Sequence, residues 1–268
     1  MGPRKTVVIT GSTKGLGLGL AEAFGKQGAN VVVSGRKAAD VARAKAHLES
    51  FAPAGKVFGH PCDVSRYDDV RALWDAAKSE LGTVDFWLNN AGTSNAQLPF
   101  SKLSTTDIEA VVRTNLIGVM NGSHVALAGM LAQPEKGAIY NMEGFGADGA
   151  RQVGMALYGS TKTALRYFTR SLVDETRGTG VIVGTMSPGI VVTDLLTEVY
   201  RKGDPELWKS KRWLFNFIAD PVEVVAPWLA ARVLENRTVG AHLAWMTVLK
   251  GALRVLQPYY WRRSLFPE

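Results

Sequence analysis

Short apolar runs, rich in valine and isoleucine, alternate with longer stretches of helical periodicity along most of this 268-residue chain. Because the runs lack regular polar alternation, they are typical of strands that are covered on both faces of a sheet. We predict strands at Thr6–Thr10, Asn30–Ser34, Lys56–His60, Val84–Leu88, Ala138–Asn141, Val181–Met186 and His242–Thr247. We predict helices at Leu16–Gln27, Ala38–Phe51, Tyr67–Leu81, Asp107–Leu131 and Met155–Arg177. This alternation predicts an α/β fold with a single doubly wound parallel sheet of the Rossmann type and helices on both faces.

Two regions break this alternation. Residues 194–220 carry many apolar and aromatic side chains between two Asp-Pro pairs and directly follow a predicted strand end, where a substrate lid would lie in such a fold. Ordinary helix packing explains that region equally well. Residues 249–268 mix aromatic with basic side chains, and they could lie on a membrane surface, at a subunit interface or on the core of the chain itself. We therefore expect one dinucleotide-binding and catalytic domain over residues 1–248, including the lid, and a basic-aromatic tail over residues 249–268.

Composition and charge exclude several classes of protein. The single cysteine, Cys62, rules out an intrachain disulfide and fits a reducing compartment. No apolar run approaches the roughly 18 residues that a membrane span needs. The formal net charge is +7, but the chain has no long basic block and no RNA-binding or zinc-finger spacing, so nucleic acid is not an expected partner. The basic excess fits a phosphorylated cofactor and a basic surface at the C-terminus.

A glycine-rich turn follows the first predicted strand and opens the first predicted helix. Its backbone can turn tightly and approach a pyrophosphate, whose negative charge suits the N-terminus of a helix. The predicted phosphate-binding residues are Gly11, Ser12, Thr13, Lys14, Gly15, Leu16 and Gly17. The T-G-x-x-x-G-x-G spacing of this turn, which starts at Thr10, resembles the short-chain dehydrogenase/reductase family and differs from the common G-x-G-x-x-G motif.

Tyr158 and Lys162 lie four residues apart on a predicted helix, so their side chains emerge on one face. A phenol with its ordinary pKa of about 10 exchanges protons poorly near neutral pH, and a neighbouring lysine cation would lower that pKa. In the family that the turn resembles, such a pair protonates a carbonyl oxygen and holds the nicotinamide ribose. The resemblance makes Tyr158 the expected proton donor, Lys162 its electrostatic support, and Asn115 the residue that positions a relay water.

Other segments match the same family in order and spacing, as far as about residue 194. The resemblance implies cofactor contacts from Asp63 and Val64 at the adenine, from Asn90, Ala91 and Gly92 beneath the cofactor, and from Pro188, Gly189, Ile190 and Thr193 at the nicotinamide amide. Tyr158 and Lys162 would contact the cofactor as well. No metal ion is expected at the site.

The residue after the second predicted strand bears on the choice of cofactor. Family members that use NAD carry an acidic residue there, which holds the ribose diol, whereas the matching position here is Gly35. Without a carboxylate to repel a 2′-phosphate, Arg36 can bind one bidentately, and Lys14 in the glycine turn adds a second cation. We therefore expect NADPH or NADP+ as the cofactor.

The family's catalytic serine is missing from this chain. Its position, at the end of the fifth predicted strand, falls on Gly144, which has no side-chain donor. Three explanations stay open: the protein has lost its activity, another donor substitutes, or the substrate is positioned by its bulk, for which the small glycine would leave room. Glu143 could donate only if burial raised its pKa, and exposure to solvent is an equally good expectation for it. The predicted substrate contacts are Glu143, Gly144 and Phe145.

The segment from Asn141 to Gly146 is similar to the chlorophyll b reductase branch of the family, in which an Asn-Met-acid-Gly sequence replaces the serine motif. The resemblance implies an NADPH-dependent reductase that converts the C7-formyl group of chlorophyll b, or of a related tetrapyrrole, to a hydroxymethyl group. It also implies a homo-oligomer, a dimer or a tetramer, in the cytoplasm of a bacterium or in the plastid stroma, with a peripheral membrane contact left open. The alternatives are a short-chain dehydrogenase for a lipid, steroid or quinone-like carbonyl, and an NADP(H)-binding protein without catalysis.

Overall fold

Valine-rich strands form the centre of the protein, in a computed structural model that describes residues 4–51, 54–202 and 205–266. The main strands are β1 (Thr6–Ile9), β2 (Asn30–Gly35), β3 (Val57–Pro61), β4 (Phe86–Asn89), β5 (Ala138–Met142), β6 (Ile182–Ser187) and β7 (His242–Ala244). Within the described residues these seven strands lie parallel in one sheet, in the spatial order β3-β2-β1-β4-β5-β6-β7. The order reverses between β1 and β4, which confirms the predicted doubly wound sheet.

Strand β1 shows how both faces of the sheet are covered. Val7 and Ile9 lie in one buried apolar cluster, and Val8 between them lies in the other, because side chains alternate along a strand. The helices are α1 (Gly15–Lys26), α2 (Ala38–Ser50), α3 (Tyr67–Leu81), α4 (Thr105–Val112), α5 (Gly118–Ala132), α6 (Ala156–Glu175), α7 (Asp194–Lys202), α8 (Pro205–Ile218), α9 (Val222–Glu235), α10 (Val248–Val255) and α11 (Pro258–Arg262). The first cluster is covered by α1, α2 and α9, and the second by α3, α5 and α6. Over the described ranges, no helix is both long and apolar enough to cross a bilayer.

The helix predicted at Asp107–Leu131 is interrupted in the structure. Helices α4 and α5 stand in its place, joined by a π-helical segment, Arg113–Ile117. The segment carries Asn115, whose buried side chain accepts a hydrogen bond from the amide of Thr93 at 2.8 Å and donates one to the carbonyl of Thr93 at 2.8 Å. Short π segments are frequent at functional sites, and this one holds Asn115 against the loop that follows β4.

The region predicted as a lid, residues 194–220, contains α7 and α8. We call it the lid region; residues 203 and 204 within it lie outside the described part. The ring of Trp208 in α8 packs on Phe215 at a centroid distance of 5.9 Å and on Phe266 of the tail at 5.1 Å. The tail therefore packs against the lid region of its own chain.

The carboxylate of Asp220 joins the lid region to the tail. It accepts hydrogen bonds from Arg254 and Arg263 of the tail and, at 2.7 Å, from Nε1 of Trp245. Arg263 also donates to the carbonyl oxygen of Phe217 at 2.8 Å, at the C-terminal end of α8, where a cation complements the helix dipole. A buried carboxylate between two arginines thus holds the tail in place.

Candidate active site

The glycine-rich turn lies between the C-terminal end of β1 and the start of α1. Gly11 and Gly15 have positive φ angles, 62° and 55°, which glycine adopts readily. A Cβ on Gly11 would lie 2.7 Å from Cα of Ala91, so a larger residue does not fit there unless the neighbouring loop moves. The first turn of α1 contains no acidic residue, and the N-cap residue Lys14 makes no side-chain cap. The amides at this helix end therefore suit a phosphate group of a dinucleotide.

Two polar side chains fix the turn to the sheet. The hydroxyl of Ser12 donates to the carbonyl of Ile9 at 2.6 Å and accepts from the amide of Ser34 at 2.9 Å. On the other side, Nδ2 of Asn90 donates to the carbonyl of Thr10 at 2.9 Å. The structure thus brings the predicted residues of β1, β2 and β4 together at one edge of the sheet.

The end of β2 has no room for a carboxylate. A Cβ on Gly35 would lie 2.7 Å from Cγ2 of Thr13, which occupies that space. Arg36 follows as an exposed side chain, and the described part of the chain shows no ion pair for it. Nζ of Lys14 lies 3.7 Å from Oδ2 of Asp194 at the start of α7, and both side chains are exposed. Arg36 is therefore the cation with the greater freedom to meet a phosphate.

The remaining predicted cofactor contacts follow the carboxyl ends of β3, β4 and β6. They are Asp63, Val64, Asn90, Ala91, Gly92, Pro188, Gly189, Ile190 and Thr193. The side chain of Asp63 accepts hydrogen bonds from the amide and the hydroxyl of Ser65, at 3.0 and 2.8 Å, and so stabilises its own turn. Because all three strands are parallel to β1, these loops and the glycine turn share one edge of the sheet, where such folds bind dinucleotides.

Asn115 lies behind helix α6. Its Nδ2 is 3.3 Å from Oγ1 of Thr161, and that hydroxyl donates to the carbonyl of Tyr158 at 2.7 Å. Both polar atoms of the Asn115 side chain are engaged by the backbone of Thr93. The residue is firmly positioned, and its part in a proton relay stays a prediction.

Tyr158 and Lys162 lie side by side on α6. Nζ of Lys162 is 5.6 Å from the centre of the Tyr158 ring and donates to the carbonyl of Met142 at 2.9 Å. Burial raises the pKa of Tyr158 to about 12 and lowers the pKa of Lys162 to about 8. The expectation that the lysine lowers the pKa of the phenol is wrong for this structure, because burial disfavours the phenolate and raises that pKa instead. The phenol therefore keeps its proton at neutral pH.

The hydroxyl of Tyr158 lies against Gly144, the position that matches the family's serine. A Cβ built on Gly144 would overlap the hydroxyl oxygen of Tyr158, and it would lie 3.2 Å from Cζ of that ring and 3.3 Å from Cε of Lys162. The space beside Gly144 thus holds the phenol in this structure, and the role of Gly144 in making room for a substrate stays a prediction. Within the residues that the structure describes, the Tyr158 hydroxyl makes no hydrogen bond, so it is available to donate to a ligand.

Glu143 is 4% exposed, so the expectation that it faces solvent is wrong. Its carboxylate oxygens accept hydrogen bonds from Nε and Nη2 of Arg166 at 2.8 and 2.9 Å, and Nδ1 of His242 lies 3.6 Å from Oε2. A carboxylate bound in this way accepts hydrogen bonds and does not donate one to a substrate. Its charge raises the pKa of Lys162, although the lowering by burial is larger. Glu143 therefore supports the charged form of the lysine.

The sequence patterns do not predict Arg166 and His242 as members of this site. Arg166 lies four residues after Lys162, so it continues the stripe of Tyr158 and Lys162 on α6, and that spacing is the signal from which it could have been found. His242 reaches the site through the pairing of β6 with β7, in which it lies opposite Thr185. No local signal marks it.

Comparisons with known proteins agree with this geometry. A family model described as short chain dehydrogenase matches residues 5–204. The probable chloroplastic chlorophyll(ide) b reductase NYC1 of Oryza sativa subsp. japonica is 36% identical over 282 aligned residues, which cover 100% of this chain and 54% of that protein. This chain thus spans about half the length of the rice protein.

Two further proteins are similar over nearly their whole length. The 3beta-hydroxysteroid dehydrogenase 1 of Eggerthella lenta is 33% identical, over 85% of this chain and 87% of that protein. Among solved structures, the closed form of serine dehydrogenase complexed with NADP+ has a TM-score of 0.78 and 25% identity, and the match covers 91% of this chain and 95% of that one.

Proposed function

The chain belongs to the short-chain dehydrogenase family and is an oxidoreductase, and we propose that it reduces the formyl group of chlorophyll b, or of a related tetrapyrrole, with NADPH. The observation that carries the proposal is at Gly144, the position that matches the family's serine, where the hydroxyl of Tyr158 lies so close that a Cβ would overlap it. The rice relative, 36% identical over all of this chain, is described as a probable chlorophyll(ide) b reductase, which supports the same substrate class.

The cofactor is a nicotinamide dinucleotide, as in the family, and we propose NADP(H). Gly35 carries no carboxylate that would repel a 2′-phosphate, and the exposed guanidinium of Arg36 can bind one with two hydrogen bonds. The similar serine dehydrogenase structure contains NADP+. The glycine turn, Asn90 and Lys162 would hold the rest of the molecule, and the cofactor, when bound, supplies the hydride for the carbonyl carbon.

Tyr158 supplies the proton in the proposed reduction. Its phenol, with a pKa raised to about 12 by burial, is protonated at neutral pH and can donate from Oη to the carbonyl oxygen of the substrate. Lys162, with a pKa of about 8, is mostly charged at neutral pH, and its ammonium group stabilises the negative charge that develops on the phenol oxygen. The carboxylate of Glu143 favours the charged form of that lysine.

A single hydroxyl donor suits an aldehyde. The family uses a tyrosine and a serine, whereas Tyr158 stands here with Gly144. An aldehyde is more electrophilic than a ketone and needs less activation of its oxygen, so one donor suffices for a formyl group. Phe145, which is 39% exposed beside Gly144, offers apolar surface to a large flat ligand.

A second candidate is a dehydrogenase for a steroid-like alcohol or ketone. The supporting observation is the Eggerthella lenta relative, which this chain matches over 87% of its length, whereas it matches about half of the rice protein. A cofactor-binding protein without catalysis is the weakest alternative, because the phenol of Tyr158 has no internal partner in the described residues and Lys162 lies beside it.

The test compares three carbonyl substrates under identical conditions: chlorophyll b in detergent, a 3-ketosteroid and a small ketone. We expect NADPH consumption with chlorophyll b and a hydroxymethyl product on chromatography. Tyr158→Phe should lower kcat/KM by roughly 10²- to 10⁴-fold, because the proton donor is lost. The matched control Tyr167→Phe, on the exposed side of the same helix, should leave the rate unchanged.

Three other results would contradict parts of the proposal. A preference for the 3-ketosteroid would replace the tetrapyrrole by the second candidate. Turnover that survives in Tyr158→Phe would contradict the assignment of the proton donor. Tight NADPH binding without turnover of any substrate would leave only the non-catalytic role.

We also propose that the protein works as a homo-oligomer, a dimer or a tetramer, at the periphery of a membrane. The proposed tetrapyrrole dissolves in membranes, and the rice relative is described as chloroplastic. Light scattering after size exclusion measures the number of subunits.

A further inference from the structure

The tail presents an apolar face to the outside of the molecule. Seven large side chains within the described part of the tail and the residue before it are exposed, and we call them the tail face: Val248, Leu249, Leu253, Val255, Leu256, Tyr259 and Trp261. Val248 is 92% exposed and Leu256 is 77% exposed. Large apolar side chains that are exposed together in one segment are a feature of interaction surfaces.

Helix α10 has the reverse of the usual orientation. A surface helix normally turns its apolar side to the core and its charges to water, but Arg254 is 2% exposed while Leu249 and Leu253 face out. Arg254 donates to the carboxylate of Asp220 and, at 2.9 Å, to the carbonyl of Ile218. These buried bonds hold the inner side of α10, so its apolar side is fixed in an outward position.

Two basic residues accompany the tail face. Residues 236–266 contain five lysines and arginines and no aspartate or glutamate. Arg254 and Arg263 are buried on Asp220, so the cations available beside the tail face are Lys250 and Arg262. Arg262 is exposed next to Trp261, and the Trp261 ring packs on Phe217 of α8 at 4.9 Å. Trp213, one turn before Phe217, is exposed as well and extends the apolar surface onto the lid region.

We propose that the tail face docks on the surface of a membrane that contains anionic lipid. Its aliphatic side chains enter the boundary of the acyl chains, its tyrosine and tryptophan lie at the level of the headgroups, and the neighbouring cations meet lipid phosphates. A second copy of this chain fits less well, because a symmetric contact would bring the cations Lys250 and Arg262 of both copies together. The docking is independent of the proposed reaction, and it would place the lid region where an apolar substrate dissolves.

Vesicle sedimentation of the full chain tests the proposal. We expect binding to vesicles that contain phosphatidylglycerol, weaker binding to pure phosphatidylcholine, and a loss of the difference at high salt. Leu253→Ser combined with Leu256→Ser should weaken vesicle binding by at least about tenfold, since two apolar anchors are lost. Tyr167→Ser is the matched control: Tyr167 is an exposed aromatic residue on α6, outside the tail face, and its loss should change nothing. Circular dichroism and NADPH binding show whether each variant is folded.

The outcomes distinguish a membrane surface from a second copy of the chain as the partner of the tail face. Reduced vesicle binding by the double variant at unchanged oligomeric mass supports membrane docking. Equal binding by wild type and double variant overturns it, and so does equal binding to charged and neutral vesicles. A wild-type protein that ignores vesicles, together with a double variant of lower oligomeric mass, overturns it as well and makes the tail face a contact between copies. Reduction of a detergent-dissolved substrate should be equal in wild type and double variant, so failure of the docking leaves the proposed reaction standing.

Discussion

The buried carboxylates of Glu143 and Asp220 are both bound by arginine, yet they have different roles in the molecule. Glu143 meets one arginine, Arg166, and its charge reaches the buried lysine of the active site. Asp220 meets two arginines of the tail, and its partners otherwise bind backbone carbonyls at the end of α8. The role of a buried ion pair is therefore set by its neighbours. Beside Glu143 the neighbour is a titratable lysine, whereas beside Asp220 the neighbours are a helix end and the C-terminal tail.

The largest loss of stability is expected when Asp220 is removed. Asp220→Ala leaves Arg254 and Arg263 buried without their carboxylate, so we expect the free energy of unfolding to fall by about 3–5 kcal/mol. Denaturant unfolding followed by circular dichroism measures the loss. Asp194→Ala is the control, because its pair with Lys14 is exposed, and it should cost less than about 1 kcal/mol. Similar losses in both variants would show that the Asp220 cluster does not hold the tail.

The next largest effect on stability is expected at Gly144, the residue after Glu143. Gly144→Ser puts a Cβ where the Tyr158 hydroxyl lies, so we expect a loss of about 1–3 kcal/mol in the free energy of unfolding and slower turnover. Gly144→Ala adds the same Cβ without a hydroxyl and should behave alike if overlap is the cause. A serine variant that is faster than wild type would mean that the chain lacks a donor, and that the overlap is unimportant.

Glu143→Gln removes the charge of the other carboxylate and keeps its size. Reduction needs the charged form of Lys162, so the wild-type rate should fall as pH rises through about 8, while Tyr158, with a pKa of about 12, stays protonated. Without the carboxylate the pKa of Lys162 drops further, and the fall in rate should begin about one pH unit lower.

The measurement for Glu143→Gln is the pH profile of kcat at saturating NADPH. Glu175→Gln, an exposed position at the end of the same helix, is the control and should leave the profile where it is. If kcat falls at the same alkaline pH in both variants, Glu143 does not influence the charge of Lys162.

The smallest effect on stability is expected at Arg36, because its charge is exposed. Arg36→Ala should weaken NADPH binding by about tenfold or more through the loss of charge-assisted hydrogen bonds, and should leave NADH binding unchanged. The free energy of unfolding should change by less than about 0.5 kcal/mol, because the side chain is exposed. Fluorescence titration with both cofactors, with Lys37→Ala as the neighbouring control, measures the preference. An unaltered preference for NADPH would remove Arg36 from the choice of cofactor.

The sheet, the glycine turn and the pairing of Tyr158 with Lys162 could be predicted because each depends on residues close together in the chain. Long-range contacts could not be predicted in that way. His242 meets Glu143 because β7 pairs with β6, and Arg263 reaches Asp220 across 43 residues of sequence. The residues near Glu143 or Asp220 in the sequence do not indicate these distant partners.

Two local features escaped prediction for other reasons. The five residues of Arg113–Ile117 are too few for apolar periodicity to distinguish a π-helical turn from an α-helical one, so the pattern could not show the interruption. The direction of the pKa shift of Tyr158 depends on how much of the site closes around the phenol. The sequence shows only that Lys162 is near Tyr158, and a nearby lysine by itself would lower the pKa of the phenol.

The overlap at Gly144 also bears on how such a site changes over generations. Because the hydroxyl of Tyr158 lies where a Cβ at that position would stand, a mutation that brought the serine back would also have to move the phenol. Other members of the family carry a serine and a tyrosine together, so a shift of the Tyr158 side chain is what such a return requires. The residue at position 144 and the placement of the phenol are therefore expected to change together over evolution.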